Sequence, residues 1–144
     1  VLATGPALLR LDLGAAEILA PCALANPCTL RRSAGAVVIG ATFELALDGP
    51  VPAGSLAAIR LARFGSSCEA SFPFGEVYLR AGSALARFHL GAYAGVPLTL
   101  SLAVPNDPSL LALEFFGQGI FLTPSGTLPR LRLSNGLRFV MGTP

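Results

Sequence analysis

The sequence predicts an all-β fold: an antiparallel β-sandwich, jelly-roll-like or immunoglobulin-like, with an extra strand at its N-terminal side. Three observations carry that expectation. Apolar and polar residues alternate with period two in many short runs. Clusters of Gly, Pro, Asn and Ser separate the runs at regular intervals. No segment sustains the i, i+3, i+4 pattern of an amphipathic helix. Many short strands with evenly spaced turns are the pattern of sandwiches and jelly rolls.

Length and composition bound the rest. A chain of 144 residues is one domain by size, divided here into a strand-bearing extension at residues 1–20 and a sandwich domain at residues 21–144. Hydrophobic residues make up 53% and charged residues 12%, so apolar side chains fill strands buried on both faces or an interface with other copies. No run of 18 apolar residues occurs, and no membrane span is expected. The net charge of +2 comes from ten arginines without a lysine, scattered along strands rather than clustered. Nucleic acid is therefore not an expected partner. The chain opens at Val1 without a charged segment followed by an apolar one, and reads as secreted with its signal peptide removed.

The elements follow in order. Residues 7–13 place Leu9, Leu11 and Leu13 on one face and Arg10 and Asp12 on the other, a half-buried strand. Residues 15–20 fit either a helical turn or an extended exit toward Pro21. Residues 29–33 are a short strand. Residues 37–47 read as a long one, with Val37, Ile39, Ala41, Phe43, Leu45 and Leu47 on a shared face and Gly40 as a candidate bulge. Strands are also expected at 56–64, from Cys68, and at 76–80. In 84–90, Ala86, Phe88 and Leu90 face the core while Leu85, Arg87 and His89 face out. Residues 130–133 and 137–141 read as two strands joined by a hairpin turn at Ser134, Asn135 and Gly136.

The stretch around which the chain is organised is VPNDPSLLALEFFGQGIFL, residues 104–122. A strand at 98–104 leads into Pro105, Asn106, Asp107 and Pro108, where two prolines fix φ and two short polar side chains cap a turn. The apolar run that follows predicts a second central strand. Gly117 and Gly119 suggest a bulge that moves the inward face from Leu113 and Phe115 to Ile120 and Leu122.

Chemistry is sparse. His89 stands alone on an alternating strand without a nucleophile elbow in the sequence, and the carboxylates are dispersed. Asn106 and Asp107 read as turn caps before calcium ligands. Phe72, Phe74, Tyr78 and Tyr93 could form a sugar platform, but the core needs most of the aromatics. No metal, cofactor or catalytic site is assigned, and the chain is not expected to be an enzyme. Three cysteines, Cys22, Cys28 and Cys68, suit an oxidising compartment and allow one disulfide with one thiol left over. Spacing alone leaves open the pairs Cys22–Cys28, Cys22–Cys68 and Cys28–Cys68.

The motif V-P-N-D-P at residues 104–108, the later Gln118, and S-N-G-L at residues 134–137 followed by Gly142 resemble a C-terminal β-sandwich module of secreted environmental bacterial proteins. The resemblance spans residues 21–142 and implies that Cys68 pairs with Cys22 or Cys28. The apolar strand ahead of a low-charge sandwich also resembles filament-forming jelly-roll subunits that donate an N-terminal strand to a neighbour. The resulting expectation is a structural subunit of an extracellular, self-assembling filament, with Leu9, Leu11 and Leu13 as the assembly strand and other copies as partners. The alternative is a secreted carbohydrate-binding module with glycans as partners.

Overall fold

The computed structural model describes residues 13–22, 25–71, 75–124 and 130–144, and only the backbone of 66–71. Its described elements are β1 (Ala16–Ile18), β2 (Thr29–Ala34), β3 (Thr42–Asp48), β4 (Leu56–Ala62), β5 (Gly65–Ser71), β6 (Gly75–Leu79), β7 (Ala84–Ala92), β8 (Leu98–Ala103), a single 3-10 turn (Pro108–Leu110), β9 (Glu114–Thr123) and β10 (Arg130–Val140). All strand pairings between them are antiparallel. One sheet has the order β1-β10-β9-β4-β7, a second β2-β3-β8, and β5-β6 form a separate hairpin. The expected all-β sandwich is what the chain builds.

The alternation read from the sequence decides the inner faces. Phe43, Leu45 and Leu47 of β3 are buried against Ile59 and Leu61 of β4, Phe115 and Phe121 of β9, and Leu137 and Phe139 of β10. The rings of Phe115 and Phe139 stack at 4.6 Å, and Phe43 meets Phe139 at 5.8 Å. Tyr93 stands edge-on to Phe121 at 5.4 Å. The Phe43–Phe139 contact fastens one sheet to the other, while the stacked Phe115–Phe139 pair joins neighbouring strands of the larger sheet.

Gly117 and Gly119 do not make a bulge. The register of β9 against β4 runs unbroken from Leu56↔Leu122 to Ala62↔Phe116, so Phe115, Gly117, Gly119 and Phe121 all face the core. The glycines are there because their neighbours are large. A Cβ on Gly119 would lie 2.3 Å from Leu47 Cδ1, and one on Gly117 would lie 3.0 Å from Phe139 Cε2. Ile120 and Leu122, expected inside, therefore face outward, and Leu122 is 39% exposed.

The irregularity sits in β10 instead, where the pairing shifts between Leu133 and Gly136. Ser134, Asn135 and Gly136 are not a hairpin turn; they are a bulge within a single strand, and the two expected strands are one. Residues 15–20 hold a strand rather than a helical turn: β1 pairs with β10 through Ala16↔Phe139. Those residues lie inside the stretch set apart as an extension. The long strand at 37–47 starts only at Thr42, because Gly40 takes φ 75° and turns the backbone. Val37 and Ile39 are nevertheless buried. The turn at residues 105–108 does join successive strands, but it carries the chain from one sheet to the other. Of the two, β9 is central and β8 lies at an edge.

Gly119→Ala should destabilise the fold by roughly 1–3 kcal/mol, the usual cost of overpacking. In a Leu47→Ala background the same change should cost less, because the obstructing methyl groups are gone. Thermal unfolding of the four variants of this cycle measures the coupling; equal costs in both backgrounds would show that Leu47 is not the obstruction.

Candidate functional site

Among the described residues the sandwich is closed along one side and open along the other. On the closed side, β2 meets β10: Cys28 N–H donates to Leu133 O at 3.2 Å, and Asn135 N–H donates to Cys28 O at 3.3 Å. Asn135 extends this join with its side chain, accepting from Leu30 N–H at 2.8 Å and donating to Leu30 O at 3.0 Å. On the other side, β7 and β8 are both edge strands, with free outer backbone edges among the described residues. They are consecutive in the chain and approach each other across the gap between the sheets.

The core residues nearest this side are incompletely covered. Leu98, Leu100 and Leu102 of β8 and Phe88 and Leu90 of β7 pack on the core cluster yet stay only half-buried. Deeper residues such as Leu45, Leu47 and Ile59 have no exposure. At one end the gap opens into a cleft of about 200 Å³ lined by Leu85, Leu102, Leu110, Leu113, Phe115 and Met141. Leu85 at its rim is 55% exposed. A five-stranded sheet faces a three-stranded one, and the space beside β8 is where a further strand would complete the smaller sheet.

On the closed side a polar hub at Ser134 of β10 and Gln118 of β9 fixes the β5–β6 hairpin on the outer face of the larger sheet. Gln118 Nε2 donates to Glu76 O at 2.8 Å and Ser134 O at 2.9 Å, while its Oε1 accepts from Tyr78 N–H at 3.0 Å. Asn26 makes a parallel set, donating to Glu76 O and Ser134 O and accepting from Glu76 N–H. Ser134 Oγ accepts from Gly119 N–H at 2.7 Å. Two carboxamides thus do the work of strand pairing between elements that share no ladder. Tyr78 donates its hydroxyl to Glu76 Oε1 at 2.7 Å, and burial first, then that bond, pushes its pKa up to about 12.

The residues singled out in the sequence are placed as follows. Leu13 lies in a turn and is 46% exposed; Leu9 and Leu11 lie outside the described residues. Of Pro105, Asn106, Asp107 and Pro108, Asp107 is the cap and Pro108 opens the 3-10 turn. Asp107 Oδ1 accepts from Ser109 N–H at 2.9 Å at the start of the 3-10 turn, and that backbone donor lowers its pKa. Tyr78 and Tyr93 are buried; the hydroxyl of Tyr93 donates to Asp48 Oδ1 at 2.6 Å. Neither can stack on a sugar, and Phe72 and Phe74 lie outside the described residues. His89 points outward from β7. Cys28 is a buried free thiol, its pKa raised to about 11 by desolvation against the opposing pull of Arg132. Among the described residues no group of three His, Cys, Asp or Glu is placed to hold a metal ion, and no helix is long and apolar enough to cross a membrane.

The half-exposed leucines of the open edge were visible in the sequence as period-two strands. Nothing in that pattern separates a central strand from an edge strand. No family model, curated protein or solved structure matches the chain.

Two outcomes follow. Gln118→Ala leaves Tyr78 N–H without its acceptor and should cost about 1–3 kcal/mol. Amide exchange at Tyr78 should accelerate more than exchange at Ile59 on β4; equal protection in the variant would mean that Gln118 does not hold the hairpin. Asp107→Ala should lower the melting temperature at neutral pH. Because the folded pKa of Asp107 is depressed, its stabilisation is present above the ordinary carboxylate value and disappears as pH falls through the depressed one. The difference from the parent protein should therefore shrink on acidification below about pH 4.

Proposed function

We propose that the chain is a structural subunit of an extracellular homopolymer, in which the N-terminal strand of one copy fills the gap between β7 and β8 of the next. The observation that carries this reading is the incomplete cover of Leu98, Leu100, Leu102, Phe88 and Leu90 at two adjacent edges that are unpaired among the described residues. Residues 7–13 have the matching pattern: Leu9, Leu11 and Leu13 would enter the groove, with Arg10 and Asp12 outside. Backbone bonds to β8 would complete the smaller sheet. Each leucine fully buried this way contributes roughly 1.5–3 kcal/mol.

The position of Leu13 favours a donor from another copy. Its carbonyl carbon lies close to Gly142, on the β1 side of the sandwich. Three strands separate β1 from β7, a distance of about 19 Å at ordinary strand spacing. Leu13 itself stands on the far edge from its own groove. Donation to a neighbour is heterologous, does not close on itself and propagates as a filament.

An oxidising location accompanies this reading. Cys28 is free and buried, so the one disulfide expected of three cysteines would join Cys22 to Cys68. Cys22 N–H donates to Glu76 Oε1 on β6 at 3.1 Å, and Cys68 belongs to β5, whose Glu69 pairs with Val77 of β6. A Cys22–Cys68 bond would tie the hairpin to the N-terminal side and contribute roughly 3–4 kcal/mol.

Negative-stain microscopy tests the assembly. The purified protein should form fibres, and Leu11→Asp should abolish them, because the groove would bury an unpaired carboxylate. Removal of residues 1–12 should give a folded, aggregation-prone monomer that a synthetic peptide of residues 5–14 restores to a soluble one. Ordinary fibres from the truncated protein would rule out strand donation. Non-reducing peptide mapping should find Cys22 linked to Cys68, with Cys28 alkylated only in denaturant; a Cys28-containing disulfide would overturn the pairing.

A further inference from the structure

A cavity of about 330 Å³ lies on the opposite side of the larger sheet from the β7–β8 groove, between the end of β6 and the outer faces of β4, β9 and β10. It exists because the hairpin covers only part of that face. The hub around Gln118 anchors β6 at Glu76 and Tyr78. The turn after β6 bonds to the chain after β4 through Arg80 N–H to Phe64 O at 3.0 Å and Arg63 N–H to Ser83 O at 2.8 Å, and the small side chains of Ala62 and Ala84 line the space that is left. Val77, Leu79, Ile120, Leu131 and Leu133 supply aliphatic walls, and Arg60 and Arg80 supply charge.

Among the described residues those two guanidiniums have no neutralising partner. Neither makes an ion pair or a side-chain hydrogen bond among the described residues. The described carboxylates are committed elsewhere: Glu17 and Glu114 to Arg138, Glu44 to Ser33, Asp48 to Tyr93, Glu76 to Tyr78, and Asp107 to Ser109. The nearest cross-strand neighbour of Arg60 on β7 is another arginine, Arg87. Like charges placed directly opposite repel, so the described side chains give the site a net positive potential. Its volume falls at the small end of the range of ligand sites.

We infer that this cavity binds a small amphipathic monoanion, an aliphatic monocarboxylate whose tail lies on Ile120, Leu131 and Leu133 and whose carboxylate is held by Arg60 and Arg80. Arginine suits the head group because its planar fork matches a carboxylate. The aliphatic walls favour a medium-length tail over a bare ion. The cavity opens on the outer face of the sheet and the proposed donor strand enters between the sheets, so the two sites are physically separate and the binding does not depend on the assembly.

Calorimetric titration with octanoate, acetate, octanol and octylamine distinguishes the contributions. Octanoate should bind, acetate and octanol at least about tenfold more weakly, and octylamine not at all. Arg80→Gln, at an exposed position after β6, should weaken octanoate by about tenfold or more, while Arg80→Lys retains part of the affinity and Arg31→Gln, on β2 of the smaller sheet, leaves it unchanged. Arg60→Gln should act in the same direction as Arg80→Gln, and circular dichroism reports whether it remains folded. In amide spectra the octanoate shifts should centre on Ile120, Leu131 and Arg80. Equal binding of octanol, unchanged affinity in Arg80→Gln, or shifts centred on Leu100 and Phe88 of the groove would each overturn the inference.

Discussion

The architecture depends on one carboxamide. Gln118 is buried in the middle of β9, at a position that faces away from the core, where a polar side chain would ordinarily meet water. It instead meets the backbone of two other elements, saturating one N–H and sharing two carbonyls with Asn26. A buried polar group is tolerated only when its bonds are made, and these bonds are available only if the hairpin crosses the sheet at this place and β10 bulges at Ser134. The bulge, the hairpin and the arrival of β2 at Asn135 are thus mutually required.

Satisfying the outer face in this way leaves the two sheets unequal. The hairpin covers the middle of the larger sheet and adds no strand to the smaller one. The deficit falls at β8, where the inward leucines keep partial contact with solvent. Edge strands with free backbone groups are a liability in a protein that must stay monomeric. Here the outward positions of the same strands are polar or charged: Thr99 and Ser101 on β8, Arg87 and His89 on β7. The edge is therefore amphipathic, greasy only toward the gap, as the proposed strand donation requires.

Charge is distributed on a related logic. With few ionisable groups, most described acids are absorbed as local hydrogen-bond acceptors. Arg138 takes up two of them, Glu114 and Glu17, and so ties β1 and β9 to β10. The arginines of the outer face are left over. The low charge content that first suggested buried strands also explains why unpaired guanidiniums persist beside an aliphatic cavity.

The sequence by itself determined the fold class, most strand positions and the inward faces of β4, β7 and β8, because period-two alternation and turn residues are local properties. It also determined the Asp107 cap, which needs only residues two apart. What it could not decide was set by contacts distant in the chain. Gly117 and Gly119 read as a bulge until Leu47 and Phe139, from other strands, are seen to occupy the space a side chain would need. Ser134, Asn135 and Gly136 read as a turn because their composition is that of a turn. Only the bonds to Leu30, Gly119 and Gln118 make them a bulge in one long strand. The status of β8 as an edge was undetermined for the same reason: alternation records which side of a strand is buried, and neighbours are a property of the sheet. Tertiary structure alone decided where the core was left open.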